Sequence, residues 1–204
     1  MARTRRADYQ RSNRIRTLPL SDPEQAAMAA HRLLKTRDAT GRRSRASDLL
    51  AILSAQTGVP VPDLVVPDEH QPHRRSGGRI VYSLQGDYRR RAPSADDPAV
   101  ARGGRPLGRI RVLNRTPARG DVVRPSAFLN TLLHEFCHHY DAERLGILHS
   151  FHTSGFYARI RHLRDQIEAG AGDGLEDGVA AGPAAFEAGP LPLLDRLWSI
   201  IRGL

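Results

Sequence analysis

The strongest constraint on this chain lies in residues 130–141, N-T-L-L-H-E-F-C-H-H-Y-D. Leu129, Leu132, Leu133, Phe136, Cys137 and Tyr140 recur at intervals of three and four, the spacing that lines one face of an α-helix. A strand would scatter the same side chains over both faces. The spacing therefore predicts a helix from Arg124-Pro125-Ser126 to about Leu145, with proline in its first turn and Gly146 at its end. That stripe has to be buried, so the rest of the chain must supply a core around it. The 204 residues suffice for one domain with appendages.

The other side of the helix carries chemistry. His134 and His138 are four residues apart, so their rings leave one face with Cβ atoms about 6 Å apart. Two imidazole nitrogens so placed can meet one Zn2+ at about 2.0–2.1 Å. Glu135 sits about 100° further round the helix, beside such an ion without being forced to ligate it. There it can take a proton from water whose pKa the metal lowers to about 7. In a chain of this composition the pattern arises by chance roughly once in a hundred. The reading is a zinc-dependent hydrolase of the metallopeptidase type.

A catalytic zinc needs a third protein ligand and one open position. The extended metzincin pattern is absent, because its glycine and third histidine would fall on Asp141 and Arg144. The residues themselves leave His149, His152 and Glu168 as candidates. A closed site using both His149 and His152 would instead be structural, and the intact Glu135 argues for catalysis. His139 points away from His138 and either backs a ligand or faces solvent. Asp141, one turn beyond His138, can accept the second ring N–H of a ligand or be a plain surface charge. Tyr157, Tyr140 and Arg159 are candidates to stabilise the oxyanion of a tetrahedral intermediate. Cys137 belongs to the apolar stripe and is expected in the core.

Elsewhere the pattern is mixed. Ser21-Asp22-Pro23-Glu24 opens a helix that reaches about Lys35. A second runs from near Ser47 to Gly58. Three short β-branched segments follow, at 59–66, 79–84 and 109–114. Pro60, Pro62 and Pro67 confine the first to a sheet edge. Residues 86–106 read as a long surface loop. The strand at 109–114 is also expected at an edge, where it would hold an extended substrate backbone by strand addition. After the zinc helix, Phe156, Ile160, Leu163 and Ile167 mark another helix from Ser154 to Gly170.

The net charge is +9, and residues 1–45 hold twelve basic against four acidic side chains. A basic end can attract nucleic acid through counterion release, although no zinc-finger, RNP or homeodomain signature accompanies it. No apolar run approaches the length of a membrane span, and the N-terminus lacks the apolar segment of a secretory signal. Cys137 is the only cysteine, which excludes an internal disulfide and leaves the cytoplasm as the expected compartment.

Residues 128–160, with H-E-F-C-H-H and then S-F-H-T-S-G-F, resemble a SprT-like zinc metallopeptidase domain. The resemblance implies that His152, at the start of the next helix with Phe156 four residues on, is the third ligand, with His149 in reserve. Residues 108–114, G-R-I-R-V-L-N, are similar to that family's strand before the zinc helix. It also implies a protein or peptide substrate, and as an alternative a protease acting on nucleic-acid-bound proteins. The expected class is α+β: N-terminal helices, a small three-stranded sheet, the zinc-binding helix and a second helix packed behind it. The expected organisation is a basic disordered arm at 1–20, a zincin-like domain at 21–169, a Gly/Ala/Pro-rich linker at 170–190 and a short amphipathic helix at 191–204.

Overall fold

The computed structural model describes residues 2–90 and 108–171. These form helices α1 (Ala2–Arg14), α2 (Pro23–Leu34) and α3 (Ala39–Thr57), then strands β1 (Asp63–Val65), β2 (His73–Ser76), β3 (Arg79–Ser83), β4 (Gly86–Arg89) and β5 (Arg109–Val112), then helices α4 (Pro125–Glu143) and α5 (Ser154–Gly170). The class is α+β, as expected. The linker and C-terminal helix expected beyond Ala171 lie outside the described residues. Among the described residues no helix is long and apolar enough to cross a membrane.

Helix α4 is central. Its whole apolar stripe is buried, with Leu132, Phe136 and Cys137 fully so. It packs against β4 and β5 on one side and against α2, α3 and α5 on the other. Leu49, Leu50 and Leu53 of α3, Ala26, Ala30 and Leu33 of α2, and Leu163 and Ile167 of α5 complete the core. Helices α2 and α3 are both capped by aspartate: Asp22 accepts from the Gln25 amide at 3.0 Å and Asp38 from the Gly41 amide at 2.7 Å. Helix α3 begins about two turns earlier than its apolar spacing indicates. Its first turns turn a charged residue inward, Arg42, which is fully buried. Arg42 donates to Thr36 O, to Asn114 Oδ1 and to Val123 O, tying the connection between β5 and α4 to α3.

Strand order in the sheet is β1-β5-β4, parallel between β1 and β5 and antiparallel between β5 and β4. Strand β1, flanked by Pro60, Pro62 and Pro67, is at an edge among the described residues, as expected. Strand β5 is not: it is the central strand, hydrogen-bonded on both sides, so it has no free edge for a peptide. Its alternating burial, with Ile110 and Val112 inward, suits the middle of a half-buried sheet. The other edge, among the described residues, is β4, which falls at the start of the stretch expected to be a loop. The segment at 79–84 is a strand but belongs to a separate antiparallel hairpin with β2.

The N-terminal segment departs most from expectation. Where a disordered arm was expected, α1 occupies residues 2–14 and residues 15–20 run along α5. Leu18 is fully buried, its carbonyl accepts from Gln166 Nε2 at 2.8 Å, and the Leu20 amide donates to Gln166 Oε1 at 2.8 Å. The attached face of α1 is polar, so no apolar periodicity announces it.

Candidate metal centre

The Nε2 atoms of His134, His138 and His152 lie at a common point, 3.0, 3.1 and 3.2 Å from one another. His134 and His138 come from one face of α4, one turn apart. His152 reaches them because the chain reverses after α4: Gly146 adopts φ 62° and the Ile147 amide donates to Asp141 O at 2.8 Å. Ile147 is fully buried and fixes the return of residues 148–153 across the helix. The aromatic ring of Phe156 underlies all three imidazoles, with centroids 5.1, 4.5 and 5.2 Å away.

The donor set fits a cation. His138 Nδ1 is 2.9 Å from Ser150 Oγ, and Ser150 Oγ donates to Asp141 Oδ2 at 2.8 Å. With its one hydrogen given to Asp141, Ser150 accepts from His138 Nδ1, which leaves a lone pair on His138 Nε2. Ring lone pairs facing one another at this separation repel unless a proton or a cation lies among them. A tetrahedral ion at about 2.0–2.1 Å would hold its nitrogen ligands about 3.3 Å apart, close to the triangle seen. Burial pushes the His134 pKa down to about 3 and that of His138 well below the ordinary value, so both rings are neutral, the form that ligates.

Glu135 projects toward β4 and is buried, 6% exposed. Desolvation, with the negative charge of Asp87 nearby, raises its pKa to about 8, while a backbone hydrogen bond from Tyr88 opposes the rise. The carboxyl thus sits between the histidine cluster's helix and the sheet edge. Gly86 makes this approach close: a Cβ there would meet Arg111 O at 2.8 Å, Thr131 Cγ2 at 2.7 Å and Glu135 Cγ at 3.3 Å.

The remaining candidates separate clearly. His149 is outside the cluster; its amide donates to Asp8 Oδ2 at 3.3 Å. Glu168 is on the exposed side of α5, paired with Arg164 at 3.2 Å. His139 is a core residue, fully buried, with Nε2 2.7 Å from Pro60 O and Nδ1 3.3 Å from the Tyr88 hydroxyl. Tyr157 stacks on His152, centroids 5.9 Å apart, and is the oxyanion candidate nearest the cluster. Arg159 is not available for that task. It is fully buried and donates to Asp141 Oδ2 at 2.7 Å, to Ser12 O at 2.8 Å, to Ser12 Oγ at 3.0 Å and to Ile15 O. Asp141 is neither a surface charge nor a direct partner of a ligand ring; it reaches His138 through Ser150. Sequence reasoning missed Ser150, and no local pattern marks a serine twelve residues from its histidine.

Comparison with protein-family models, curated proteins and solved structures returned no match.

Proposed function

We propose that this chain is a zinc-dependent metallopeptidase in which His134, His138 and His152 hold the metal and Glu135 is the general base. The observation carrying this reading is the convergence of three imidazole Nε2 atoms within 3.2 Å of one another, next in sequence to a buried carboxyl. Zinc, when bound there, supplies Lewis acidity that polarises a carbonyl and makes water acidic near neutral pH. Glu135 takes a proton from water at a carboxylate oxygen and returns it to the leaving amine. Its raised pKa in the metal-free site suits a group that must both accept and release a proton. Strand β4, at the sheet edge beside Glu135, is the place for an extended peptide backbone. Three ring donors, with His149 turned elsewhere, leave room for water and substrate and favour a catalytic over a closed structural site. The buried lone thiol of Cys137 is at home in a reducing cytoplasm.

The SprT-like resemblance supports the same reading. The exposed Arg5, Arg6, Arg11 and Arg14 on α1 favour a second one, in which the protein substrates are carried on nucleic acid. Binding of duplex or single-stranded DNA that weakens steeply with salt would support it, and salt-independent or absent binding would remove it.

The main test is metal content by elemental analysis together with cleavage of an unstructured protein such as casein. The parent is expected to hold one zinc per chain, His152→Ala to lose it and His149→Ala to keep it. Glu135→Gln is expected to keep zinc and lose turnover. A parent that binds no zinc under metal-replete conditions would overturn the reading.

A further inference from the structure

Helix α1 meets the rest of the molecule mainly at the metal centre's outer support. Asp8, Tyr9, Ser12 and Asn13 occupy two adjacent i, i+4 rows, a single helical face. Asp8 Oδ2 accepts from the His149 amide at 3.3 Å. The ring of Tyr9 meets Phe151 edge-on, centroids 5.8 Å apart. Ser12 Oγ lies 2.9 Å from Thr153 Oγ1. Asn13 Oδ1 accepts from Ser154 Oγ at 2.6 Å and from the Gly155 amide at 3.4 Å. These contacts span residues 149–155, the segment that carries His152.

The same helix also reaches His138. Ser12, through its carbonyl and its hydroxyl, together with Ile15 O, holds the guanidinium of Arg159. Arg159 holds Asp141, Asp141 holds Ser150, and Ser150 holds His138 Nδ1. Ser12 is fully buried and joins both routes. The packing is close: at Gly155 a Cβ would collide with the backbone carbonyls of Ser12 and Asn13.

We propose that α1 is a clasp of the metal centre, setting the affinity of the three-histidine site by holding the His152 segment and orienting His138. This rests on the reading that the three histidines bind a metal. The attachment is made of directional hydrogen bonds and one aromatic edge contact, all to residues 149–155 and to Arg159, so it depends on that segment being in place. Reciprocity follows from linkage: whatever factor α1 docking adds to metal affinity, metal binding must add to α1 docking. Ser12, Asp8 and Asn13 are thus positioning residues, acting through groups that hold the ligands.

The test uses the full chain. Zinc affinity is measured by competition with a chromophoric chelator for the parent, Ser12→Ala and Asn13→Ala, beside thermal unfolding of each metal-free protein. Amide hydrogen exchange of residues 5–15 is followed in the parent with and without zinc. The expected result is about tenfold weaker zinc binding in Ser12→Ala, within the range for partners behind a metal ligand, and a similar gain in protection of residues 5–15 when zinc binds. A merely structural α1 would lower the unfolding temperature while leaving zinc affinity within about twofold and protection independent of zinc; that result overturns the proposal. If Ser12→Ala does not fold, exchange in the parent decides alone. A parent without zinc affinity fails at the earlier step, distinguishable from a zinc-binding parent whose α1 is indifferent to the metal.

Discussion

Ser150 Oγ stands between His138 and Asp141, 2.9 Å from the ring Nδ1 and 2.8 Å from the carboxylate it donates to. A hydroxyl can accept and donate at once, so it passes the carboxylate's preference to the ring and fixes the tautomer whose Nε2 faces the cluster. Direct contact would have required Asp141, one turn further along the helix, to turn back toward its own His138; the returning loop supplies the missing link.

Ser150→Ala should therefore weaken zinc binding by about 10–100-fold while leaving the fold intact, since the hydroxyl is at the half-buried edge of the network. Chelator competition measures the first and thermal unfolding of the metal-free protein the second. Zinc affinity equal to the parent's would show that the tautomer is fixed by something other than Ser150.

The pair behind it is more costly to disturb. Asp141 and Arg159 are both fully buried, and removing one partner leaves the other charge stranded, an effect of about 3–5 kcal/mol. Desolvation already raises the Asp141 pKa against the pull of Arg159 and Ser150. Arg159→Met is expected to destabilise the protein by that amount in urea unfolding. The double variant with Asp141→Asn should recover part of the loss, because the stranded carboxylate is gone. Additive losses would contradict direct coupling of the two groups.

Glu135 gives a pH signature in the metal-free protein. Its carboxyl is held near 8 in the fold and near its ordinary value, about 4.3, when unfolded. Below the unfolded value both states are protonated and the group costs nothing. As pH rises from there to about 8 the unfolded state ionises first and folding loses stability. Glu135→Gln mimics the protonated form, so metal-free Gln variant and parent should unfold at similar temperatures near pH 4. The variant should gain progressively toward pH 8. A constant difference across that range would mean the carboxyl titrates normally.

The central helix was legible because its apolar residues keep a strict helical period and two histidines and a glutamate occupy the remaining face. His152 was legible by resemblance only: spacing alone left His149 and Glu168 beside it, and the choice depends on how Gly146 and Ile147 turn the loop. Strand β4 was hidden because Gly86-Asp87-Tyr88-Arg89 holds no β-branched residue, and the ladder to β5 is made by backbone groups that any sequence offers. Helix α1 was hidden for the opposite reason to α4. Its contact face is Asp8, Tyr9, Ser12 and Asn13, and hydrophobic periodicity has little to say about an interface made mostly of hydrogen bonds. The early start of α3 was lost in the same way, on Arg42.

The close approach of β4 to α4 yields the last prediction. A methyl group at residue 86 meets Arg111 O, a backbone atom inside the sheet, and the Thr131 methyl on α4. The carbonyl cannot move without disturbing β5, so Gly86→Ala should push β4 away from the helix, at about 1–3 kcal/mol. The proposed metal ligands lie on α4 and ahead of α5, not on β4, so zinc affinity should stay near the parent's. The proposed peptide-binding edge would be displaced relative to Glu135, so kcat/KM on casein should fall well beyond any change in zinc content. Adding Thr131→Ala removes only one of the two clashes and should restore activity in part. If zinc affinity falls in step with turnover, β4 supports the metal itself, and its assignment as the substrate edge loses its main support.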